Sequence, residues 1–487
     1  MAVMMQRRER WIVLLITSVG AMMGPLDSTI VSVTLPTISS DLEMDYAASI
    51  WIPTSYLLAV ASLLLTMGRL SDLRGRKIIF ELGFAVFIIG SFLCSVSATG
   101  GQMIAFRFLQ GTGAAMMMST SPAIITAAFP PHERGKALGI NAMSVYIGLS
   151  LGPPLGGFLT ASFGWPSIFL VNVPIGLIVI ALSILMLKEP SRSARPRPFD
   201  LAGALTFAVG LSALLTALTL GEGMGWTSPG SIALLTVAAL SLAAFLFIEH
   251  RKAREAMLDL ELLTGNRLFA MANMSALLNY TSYFGVSFLL SFYMQRVLGL
   301  SLYLTGMVLL SMPLVMSILS PAMGWASDRI GSRVLASGGM LLISAGLLLL
   351  GTVDGSTSVH NLVLYLVIMG IGMGMFSSPN TSAVMGCVTG DQLGVASGTL
   401  STMRVVGQSL SLVIMGALVA TVASTTLLTE LFSGSLGAGA PSDVEGFVDG
   451  MRLAFTVSAG IAFAGAITSL ARGKVIRCEG LEDQAGL

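Results

Sequence analysis

Apolar segments of about 20 residues recur along the whole chain, and short polar loops separate them. A helix of about 20 residues rises roughly 30 Å, which is the thickness of the hydrocarbon core of a bilayer. Only 10% of the residues are charged, whereas about 25% are charged in a soluble domain. The chain is therefore predicted to be an all-α integral membrane protein.

The sequence predicts fourteen of these spans, which follow one another from the first helix to the last without an intervening soluble domain. Their predicted bounds are 11–35, 46–66, 78–97, 101–126, 136–162, 166–187, 200–220, 230–249, 267–293, 303–323, 334–352, 360–385, 395–424 and 450–471.

The positive charges predict how the chain is oriented. Nearly all of the 26 Lys and Arg residues fall in alternate loops, and cytoplasmic loops are the ones that retain positive charge. Both termini are therefore predicted to be cytoplasmic, in a multi-pass protein of the cytoplasmic (inner) membrane. Arg107 and Arg404 are exceptions because they fall inside apolar segments.

A short charged loop occurs twice in the chain, as GRLSDLRGR and later as GWASDRIGSR. The residues shared at equivalent positions are Gly68, Ser71, Asp72 and Gly75 in the first copy and Gly324, Ser327, Asp328 and Gly331 in the second. Repetition of this kind is typical of transporters that are built from two related halves.

The repeats divide the predicted spans into six, two and six. We predict an N-terminal six-helix bundle over 1–187 and a linker with two additional transmembrane helices over 188–266. A C-terminal six-helix bundle with a cytoplasmic tail is predicted over 267–487. The basic segment KEPSRSARPRPFD begins the linker, and 250–266 is predicted either as a short interfacial helix or as a plain tether.

Four sequence blocks carry a resemblance to a known family. They are LDSTIVSVTLP in the first helix, GRLSDLRGRK after the second, RFLQGTGAA in the fourth, and GLSLGPPLGG followed by FLVNVPIG. In this order the chain resembles the fourteen-helix drug:proton antiporters of the major facilitator superfamily. The resemblance implies two six-helix bundles plus two extra helices. It also implies proton-coupled export of amphiphilic drugs or toxic small molecules by alternating access.

The resemblance implies no cofactor, because the proton gradient supplies the energy and ATP is not needed. The expected partners are the lipid bilayer, small amphiphilic substrates and protons, with no nucleic acid. A monomer is expected, and a requirement for an outer adaptor protein is left open. The alternative is an exporter or importer of a specific metabolite. An enzyme is not predicted, since no His or Cys pair has metal-ligand spacing and no phosphate-binding GxxxxGK[ST] loop occurs.

Asp27 is the only acidic residue deep in a predicted span, and an unpaired carboxylate in hydrocarbon is costly. By helix rise it lies about 24 Å from Trp11, while Arg107 lies about 9 Å below the opposite surface. The two residues therefore share a depth. We predict that Arg107 holds Asp27 ionised in one state and releases it in another, which couples protonation to transport. A fixed structural ion pair is the alternative.

The repeated loop is predicted to be a conformational latch between the halves. Its glycines permit turns, its acids can face helix N-termini, and its cations can form ion pairs. For the basic residues, charge-directed topology is the alternative explanation. The predicted latch residues are Gly68, Asp72, Arg74, Gly75, Arg76 and Asp328.

The fifth helix carries glycines spaced by four, so that they share one face and allow another helix to approach closely. Two adjacent prolines remove backbone donors and favour a bend. In the family this pattern is associated with antiporters, and it predicts a sealing surface between the halves. Generic tight packing is the alternative. The residues are Gly148, Gly152, Pro153, Pro154, Gly156 and Gly157.

Four polar residues of the second half are predicted to line a substrate cavity: Asn279, Tyr283, Asn380 and Arg404. For the asparagines and the tyrosine, interhelical hydrogen bonding is an equal alternative. Arg404 can equally pair with backbone carbonyls. No metal site is predicted.

Overall fold

The computed structural model describes residues 7–44, 46–187, 199–251, 260–422 and 441–473. The first half contains α1 (Arg7–Asp41), α2 (Tyr46–Arg74), α3 (Arg76–Ser95), α4 (Gly100–Ala128), α5 (Arg134–Phe163), α6 (Pro166–Leu170) and α7 (Asn172–Met186). The central pair is α8 (Leu201–Met224) and α9 (Pro229–Arg251). The second half contains α10 (Leu260–Gly265), α11 (Arg267–Tyr283), α12 (Val286–Phe292), α13 (Leu302–Ile330), α14 (Ser332–Leu350), α15 (Val359–Gly386), α16 (Leu393–Ala420) and α17 (Pro441–Leu470).

Local sequence determines several of the helix ends. Thr99, Ser301 and Ser358 cap the N-termini of α4, α13 and α15, because each hydroxyl accepts a hydrogen bond from the amide three residues later. Gly75 and Gly331 separate α2 from α3 and α13 from α14 at φ values of 107° and 87°. Glycine adopts this conformation without a steric cost, so the repeated loop forms the same sharp turn twice.

Twelve of the described helices are long and apolar enough to cross a membrane, and no strand is present among the described residues. The predicted total of fourteen is therefore not confirmed. The segment 101–126 does form the 29-residue helix α4, but its buried Arg107, Gln110 and Ser119–Ser121 make it too polar. The segment 267–293 is interrupted at Phe284 and Gly285, which separate α11 from α12.

The helices pack in two groups. In the first group α1 packs on α5, and α4 packs on both α2 and α3. In the second group α14 packs on α15 and α17, while α11 packs on α16. The two most extensive contacts between the groups are those of α13 along α5 and of α16 along α2, and α15 and α16 also contact α5 and α4. The functional residues lie inside the groups and along these two contacts.

The two central helices pair with each other through the rings of Phe207 and Phe245, whose centroids are 5.1 Å apart. The first of them, α8, also contacts α2 and α16, so the pair lies beside the junction of the two groups. The predicted linker lies partly outside the described residues, at 188–198 and 252–259. A short helix, α10, is present at its end.

We use the term terminal face for the side of the protein at which α1 begins and α17 ends. Trp11 at the start of α1 stacks on Phe129 and lies under Lys136 at the start of α5. Arg472, just after α17, hydrogen-bonds to Asn380 of α15. The repeated loops lie on this face.

Candidate functional site

Asp27 and Arg107 form an ion pair in the interior of the first helix group. Nη1 of Arg107 lies 2.6 Å from Oδ2 of Asp27, and the two side chains are each 1% exposed. The shared depth of these residues on α1 and α4 therefore does place them in contact. Asp27 is the only acid that the sequence predicts deep in a span. Arg107 is one of the two cations, with Arg404, that fall inside apolar segments.

Three polar side chains complete the shell around this pair. Gln110 and Asn172 each donate a hydrogen bond of 2.8 Å to Oδ1 of Asp27. Gln110 also accepts from Arg107 at 2.6 Å and donates to Ser91 at 2.6 Å. The carboxylate therefore accepts bonds from α4 and α7 at once, and α3 contributes Ser91. The carboxylate of Asp27 thus has three donors in the structure, one of them charged.

Aromatic rings close the remaining sides of Arg107. Its guanidinium lies 4.4 Å from the ring centroid of Tyr56 and 5.9 Å from that of Phe169. A cation over an aromatic face is attracted by the ring, and the effect grows when water is excluded. The pair is thus sealed in this conformation. Protonation of Asp27 would remove the counter-charge of Arg107 and leave a buried cation, which is costly.

The first copy of the repeated loop connects the two helix groups. Oδ1 of Asp72 accepts a hydrogen bond from the amide of Gly394, and Oδ2 accepts one from Val395, both at 2.9 Å. These amides belong to the first turn of α16, where helix N–H groups lack internal partners. A carboxylate at that position also interacts favourably with the helix dipole. Asp72 therefore caps a helix of the opposite group.

Arg76 reinforces this contact. Its Nη2 lies 2.8 Å from Oδ1 of Asp72, and the same nitrogen also donates to the carbonyl of Gly390. Gly75 forms the turn that brings Arg76 back over Asp72. The side chain of Arg74 is exposed and makes other contacts. The predicted latch therefore includes Asp72, Gly75 and Arg76 in one contact, while Arg74 lies at its edge.

The second copy makes the equivalent contact in the opposite direction. Oδ1 of Asp328 accepts from the amide of Gly135 at 2.9 Å, and Oδ2 accepts from Lys136 at 3.1 Å. These amides belong to the first turn of α5. The half-buried position of Asp328 raises the cost of leaving its charge without donors.

Glycines allow the backbones to approach at both contacts. A Cβ at Gly68 would overlap the carbonyl oxygen of Gly394, and one at Gly394 would overlap that of Gly68. In the same way, a Cβ at Gly135 would overlap the carbonyl oxygen of Gly324, and one at Gly324 would overlap that of Gly135. Ser378 adds a hydrogen bond of 3.0 Å to the carbonyl of Gly135. The terminal face is consequently closed between the groups by two related, closely packed contacts.

The glycine face of α5 packs within the first group. A Cβ at Gly148 would meet Met22 of α1, one at Gly152 would overlap Thr29, and one at Gly156 would meet Ile30. In this conformation these glycines therefore contact α1 instead of the second group, as the tight-packing alternative expects. The contact of α5 with α13 is made nearer the terminal face, by Gly135 and Gly139. The role of the α5 glycine face as a sealing surface in another conformation stays a prediction.

The remaining residues of that pattern do not contact another helix closely. Gly157 is exposed, and a Cβ added there would meet nothing within 4 Å. Pro153 and Pro154 are exposed as well, and α5 continues through them from Arg134 to Phe163. The predicted bend does not interrupt the helix.

Arg404 and Tyr283, two of the predicted cavity residues, lie close together between the helix groups. Nη2 of Arg404 donates to the hydroxyl of Thr381 at 2.5 Å, and its guanidinium lies 5.8 Å from the ring centroid of Tyr280. The rings of Tyr280 and Tyr283 are 5.4 Å apart. Tyr146 of α5 is near enough to Tyr280 and Arg404 to interact with both electrostatically. We call these four side chains the Arg404 cluster: Tyr146, Tyr280, Tyr283 and Arg404.

The other two predicted cavity residues lie elsewhere, inside the second group. Asn279 is fully buried and donates to the sulfur of Met340 at 3.0 Å. Asn380 is 1% exposed, donates to the carbonyl of Ala272 at 3.2 Å and accepts from Arg472. Both make interhelical contacts, so they are not members of the Arg404 cluster. Their hydrogen bonds agree with the interhelical alternative, and a place in the substrate cavity stays a prediction for both.

Sequence reasoning missed several residues of these sites. Gln110 lies within the block RFLQGTGAA, one helical turn after the predicted Arg107. Asn172 lies within the block FLVNVPIG. Tyr146 and Tyr280 were missed because an aromatic residue in a membrane helix has no sequence mark that separates a cavity from lipid. Among the described residues, no group of three or more His, Cys, Asp or Glu side chains could hold a metal ion.

Comparison with known proteins identifies the family of the chain. Residues 17–254 and 272–475 match the Major Facilitator Superfamily. The chain is 34% identical over 398 residues to the riboflavin transporter RibZ of Clostridioides difficile (strain 630), covering 82% of this chain and 85% of that one. It is 34% identical over 425 residues to the multidrug resistance protein Stp of Mycobacterium tuberculosis (strain ATCC 25618 / H37Rv), covering 87% and 78%.

A solved structure shares the fold at much lower identity. The proton:xylose symporter XylE, bound to 6-bromo-6-deoxy-D-glucose, superimposes with a TM-score of 0.66 at 15% identity, covering 97% of this chain and 99% of that one. Family and relatives indicate a transporter rather than an enzyme. The two helix groups, the repeated contacts between them and the match over nearly the whole length lead to one assignment: the chain belongs to the Major Facilitator Superfamily.

Proposed function

We propose that this protein is a proton-coupled antiporter that exports amphiphilic drugs or toxic small molecules by alternating access. The observation that carries the proposal is the sealed Asp27–Arg107 pair between α1 and α4, which is held by the side-chain amides of Gln110 on α4 and Asn172 on α7. A carboxylate in this position can take up one proton only if Arg107 and its amide donors rearrange. Protonation and a change in helix packing are therefore linked.

The two contacts at the terminal face supply the second part of the mechanism. Each has an acceptor on one helix group and a helix N-terminus on the other, so neither survives if the groups separate on that side. Opening this face would break both contacts. It would also expose the Arg404 cluster to the solution on the terminal side. We infer that protonation of Asp27 and closure of the terminal face are coupled in one conformational equilibrium.

The membrane arrangement is part of the same proposal. The central position of α4 between α2 and α3 favours a membrane-crossing role for it, and α11 and α12 together have the length to cross once. Fourteen crossings, as in the fourteen-helix drug:proton antiporters, would follow. Both termini would lie in the cytoplasm, in the cytoplasmic (inner) membrane. We propose a monomer that uses the proton gradient and no ATP.

The main alternative is a transporter for a specific metabolite, in either direction. The similarity to a protein named as a riboflavin transporter favours this alternative, while the similarity to a protein named for multidrug resistance favours drug export. A metabolite exporter would differ from a drug exporter in substrate range, whereas an importer would differ also in the direction of transport.

The test is dye efflux from energised cells, with wild type compared with Asp27→Asn in the presence and absence of a protonophore. Two dyes are used, a rhodamine with a free carboxylate and its methyl ester, so that the result does not depend on substrate charge. Efflux by the wild type, stopped by the protonophore and absent in Asp27→Asn, is the expected result. Uphill export by Asp27→Asn at the wild-type rate would contradict the proposal.

A matched variant controls for loss of negative charge. Asp449 lies at the opposite end of the protein, and its side chain is 56% exposed. Asp449→Asn is expected to export both dyes normally. If a correctly inserted wild type exports neither dye, the proposal of multidrug export is wrong, and transport of a specific metabolite becomes the leading proposal.

A further inference from the structure

We infer that the substrate binds at the Arg404 cluster and that the preferred substrates are aromatic molecules carrying a carboxylate. This inference rests on the proposed transport function and adds to it the location and the charge of the substrate. The argument begins with the charge of Arg404, which the mechanism at Asp27 does not use.

Arg404 is a membrane-embedded cation without a counter-charge. Arg107 is paired with Asp27, whereas among the described residues no carboxylate lies within ion-pair distance of Arg404. Its only hydrogen bond there goes to the neutral hydroxyl of Thr381, and its buried Nε has no partner. A guanidinium offers five donors in a planar fork that matches a carboxylate. An anionic acceptor is therefore the group that this position lacks.

The position of Arg404 suits a transport substrate. By helix rise, Tyr146, Tyr280 and Arg404 lie roughly 17 to 20 Å from the terminal-face ends of α5, α11 and α16, near the middle of a 30 Å core. The cluster draws Tyr146 from the first helix group and the other residues from the second. The next residue, Val405, packs in an apolar cluster with Tyr56 of α2. Ligand sites of two-fold transporters lie at this kind of junction.

The two helices that carry Tyr280 and Arg404 pack closely against each other. A Cβ at Gly407 would lie 2.7 Å from the carbonyl of Leu277 and 2.9 Å from Cβ of Tyr280, so α16 and α11 pack closely there. One turn further, the amide of Gly285 donates to Ser411 at 3.0 Å. These contacts fix the relative position of the α11 and α16 backbones that carry Tyr280 and Arg404. Preorganised donors bind an anion at a lower entropic cost than flexible ones.

The aromatic side chains define the second part of the ligand. Tyr280 and Tyr283 lie side by side, with Tyr146 facing them from the other helix group. Tyrosine rings provide flat apolar surface, and their hydroxyls accept or donate hydrogen bonds. An aromatic ring bound against this surface would direct a carboxylate on the same molecule towards Arg404. Arg404 has the opposite effect on a permanent cation, because it repels like charge in a partly desolvated site.

The test measures dye binding to purified full-length protein in lipid nanodiscs, by fluorescence polarisation. The probes are the rhodamine with a free carboxylate and its methyl ester, which share one ring system and differ in charge. The wild type is expected to bind the carboxylate dye about tenfold more tightly. Arg404→Gln is expected to bind the two dyes about equally, and Arg404→Lys to keep most of the preference.

Arg333→Gln is the matched control, since it removes an exposed positive charge at the start of α14. It is expected to keep the wild-type ratio. Equal binding of the two dyes by the wild type, preference for the ester, or an unchanged ratio in Arg404→Gln would each overturn the inference. The wild-type measurement stands even if Arg404→Gln does not fold. Dye binding in nanodiscs needs no proton gradient. An absent binding preference would therefore not decide the efflux test, and a negative efflux test would not change the ratio of the two binding affinities.

Discussion

Asp72 and Asp328 make the same contact in opposite directions between the two helix groups. Asp72, at the end of α2, caps the first turn of α16, and Asp328, at the end of α13, caps the first turn of α5. Each group thus contributes one carboxylate and one helix N-terminus. The closed terminal face is stabilised by two similar contacts, and among the described residues only the first has an arginine, Arg76, bound to its acid.

Neutralising these acids should open the terminal face without changing the substrate site. Asn keeps one acceptor oxygen but loses the charge that interacts with the helix dipole, so each substitution should cost about 1 kcal/mol of the closed state. Asp72→Asn with Asp328→Asn should shift the equilibrium more than either alone. Spin labels at Ile78 and Val334, exposed side chains near this face in the two groups, would report a longer distance.

Asp449→Asn provides the control for this experiment, because its acid lies on the opposite face and caps no helix of the other group. Its distance distribution should match that of the wild type. An unchanged distribution in the double variant would show that the two caps do not hold the terminal face closed.

The sequence predicted the repeat but not the contacts that it makes. Equivalent glycines and acids identified Asp72 and Asp328 as related, and the physics of a charged loop predicted a latch. Their partners, the amides of Gly394 and Gly135, lie 322 and 193 residues away, so nothing in the loops themselves indicates which amides the acids bind. The predicted number of spans is not confirmed, because α4 buries polar groups and α11 ends at Tyr283.

The same distinction applies to the sites inside the helix groups. Depth along a helix can be counted from the sequence, and it correctly brought Asp27 and Arg107 together. The direction in which a side chain points around its helix cannot be counted, since a membrane helix has no polar face that marks the outside. For Asn279 and Asn380 the sequence therefore left a cavity position and interhelical hydrogen bonding as equal alternatives, and the structure shows interhelical hydrogen bonds for both.

A double-mutant cycle should separate the buried pair from its individual charges. Asp27→Asn or Arg107→Gln alone leaves one buried ion without its partner, and each should destabilise the protein by about 3 to 5 kcal/mol. The double substitution should cost clearly less than the sum, because no uncompensated charge remains. Thermal unfolding of the purified protein in detergent would measure the three changes. Strict additivity would mean that the two side chains do not interact.

Two glycines of α5 form a matched pair for testing its packing on α1. Gly152→Ala forces a methyl group into Thr29 and should destabilise the protein by about 1 to 3 kcal/mol. Gly157→Ala meets nothing within 4 Å, and the gain in helix propensity should make it neutral or slightly stabilising. Thermal unfolding of both variants would compare them. Equal effects would exclude close α1–α5 contact at Gly152.

Asn380 and Tyr283 should respond differently when each is replaced, although both were predicted to line one cavity. Asn380→Ala removes the acceptor of the buried Arg472 side chain and should lower stability by about 1 to 3 kcal/mol. The ratio of carboxylate-dye to ester-dye affinity should stay at its wild-type value, because Asn380 lies outside the Arg404 cluster.

Tyr283→Leu should have the opposite result, with little change in stability but weaker binding of both dyes, since it removes an aromatic surface beside Tyr280 and keeps a similar apolar volume. Unfolding midpoints and dye polarisation, measured on the same two preparations, test this contrast. If Asn380→Ala weakened dye binding while Tyr283→Leu left it unchanged, the substrate would have to contact the second helix group at Asn380, nearer the terminal face than the Arg404 cluster.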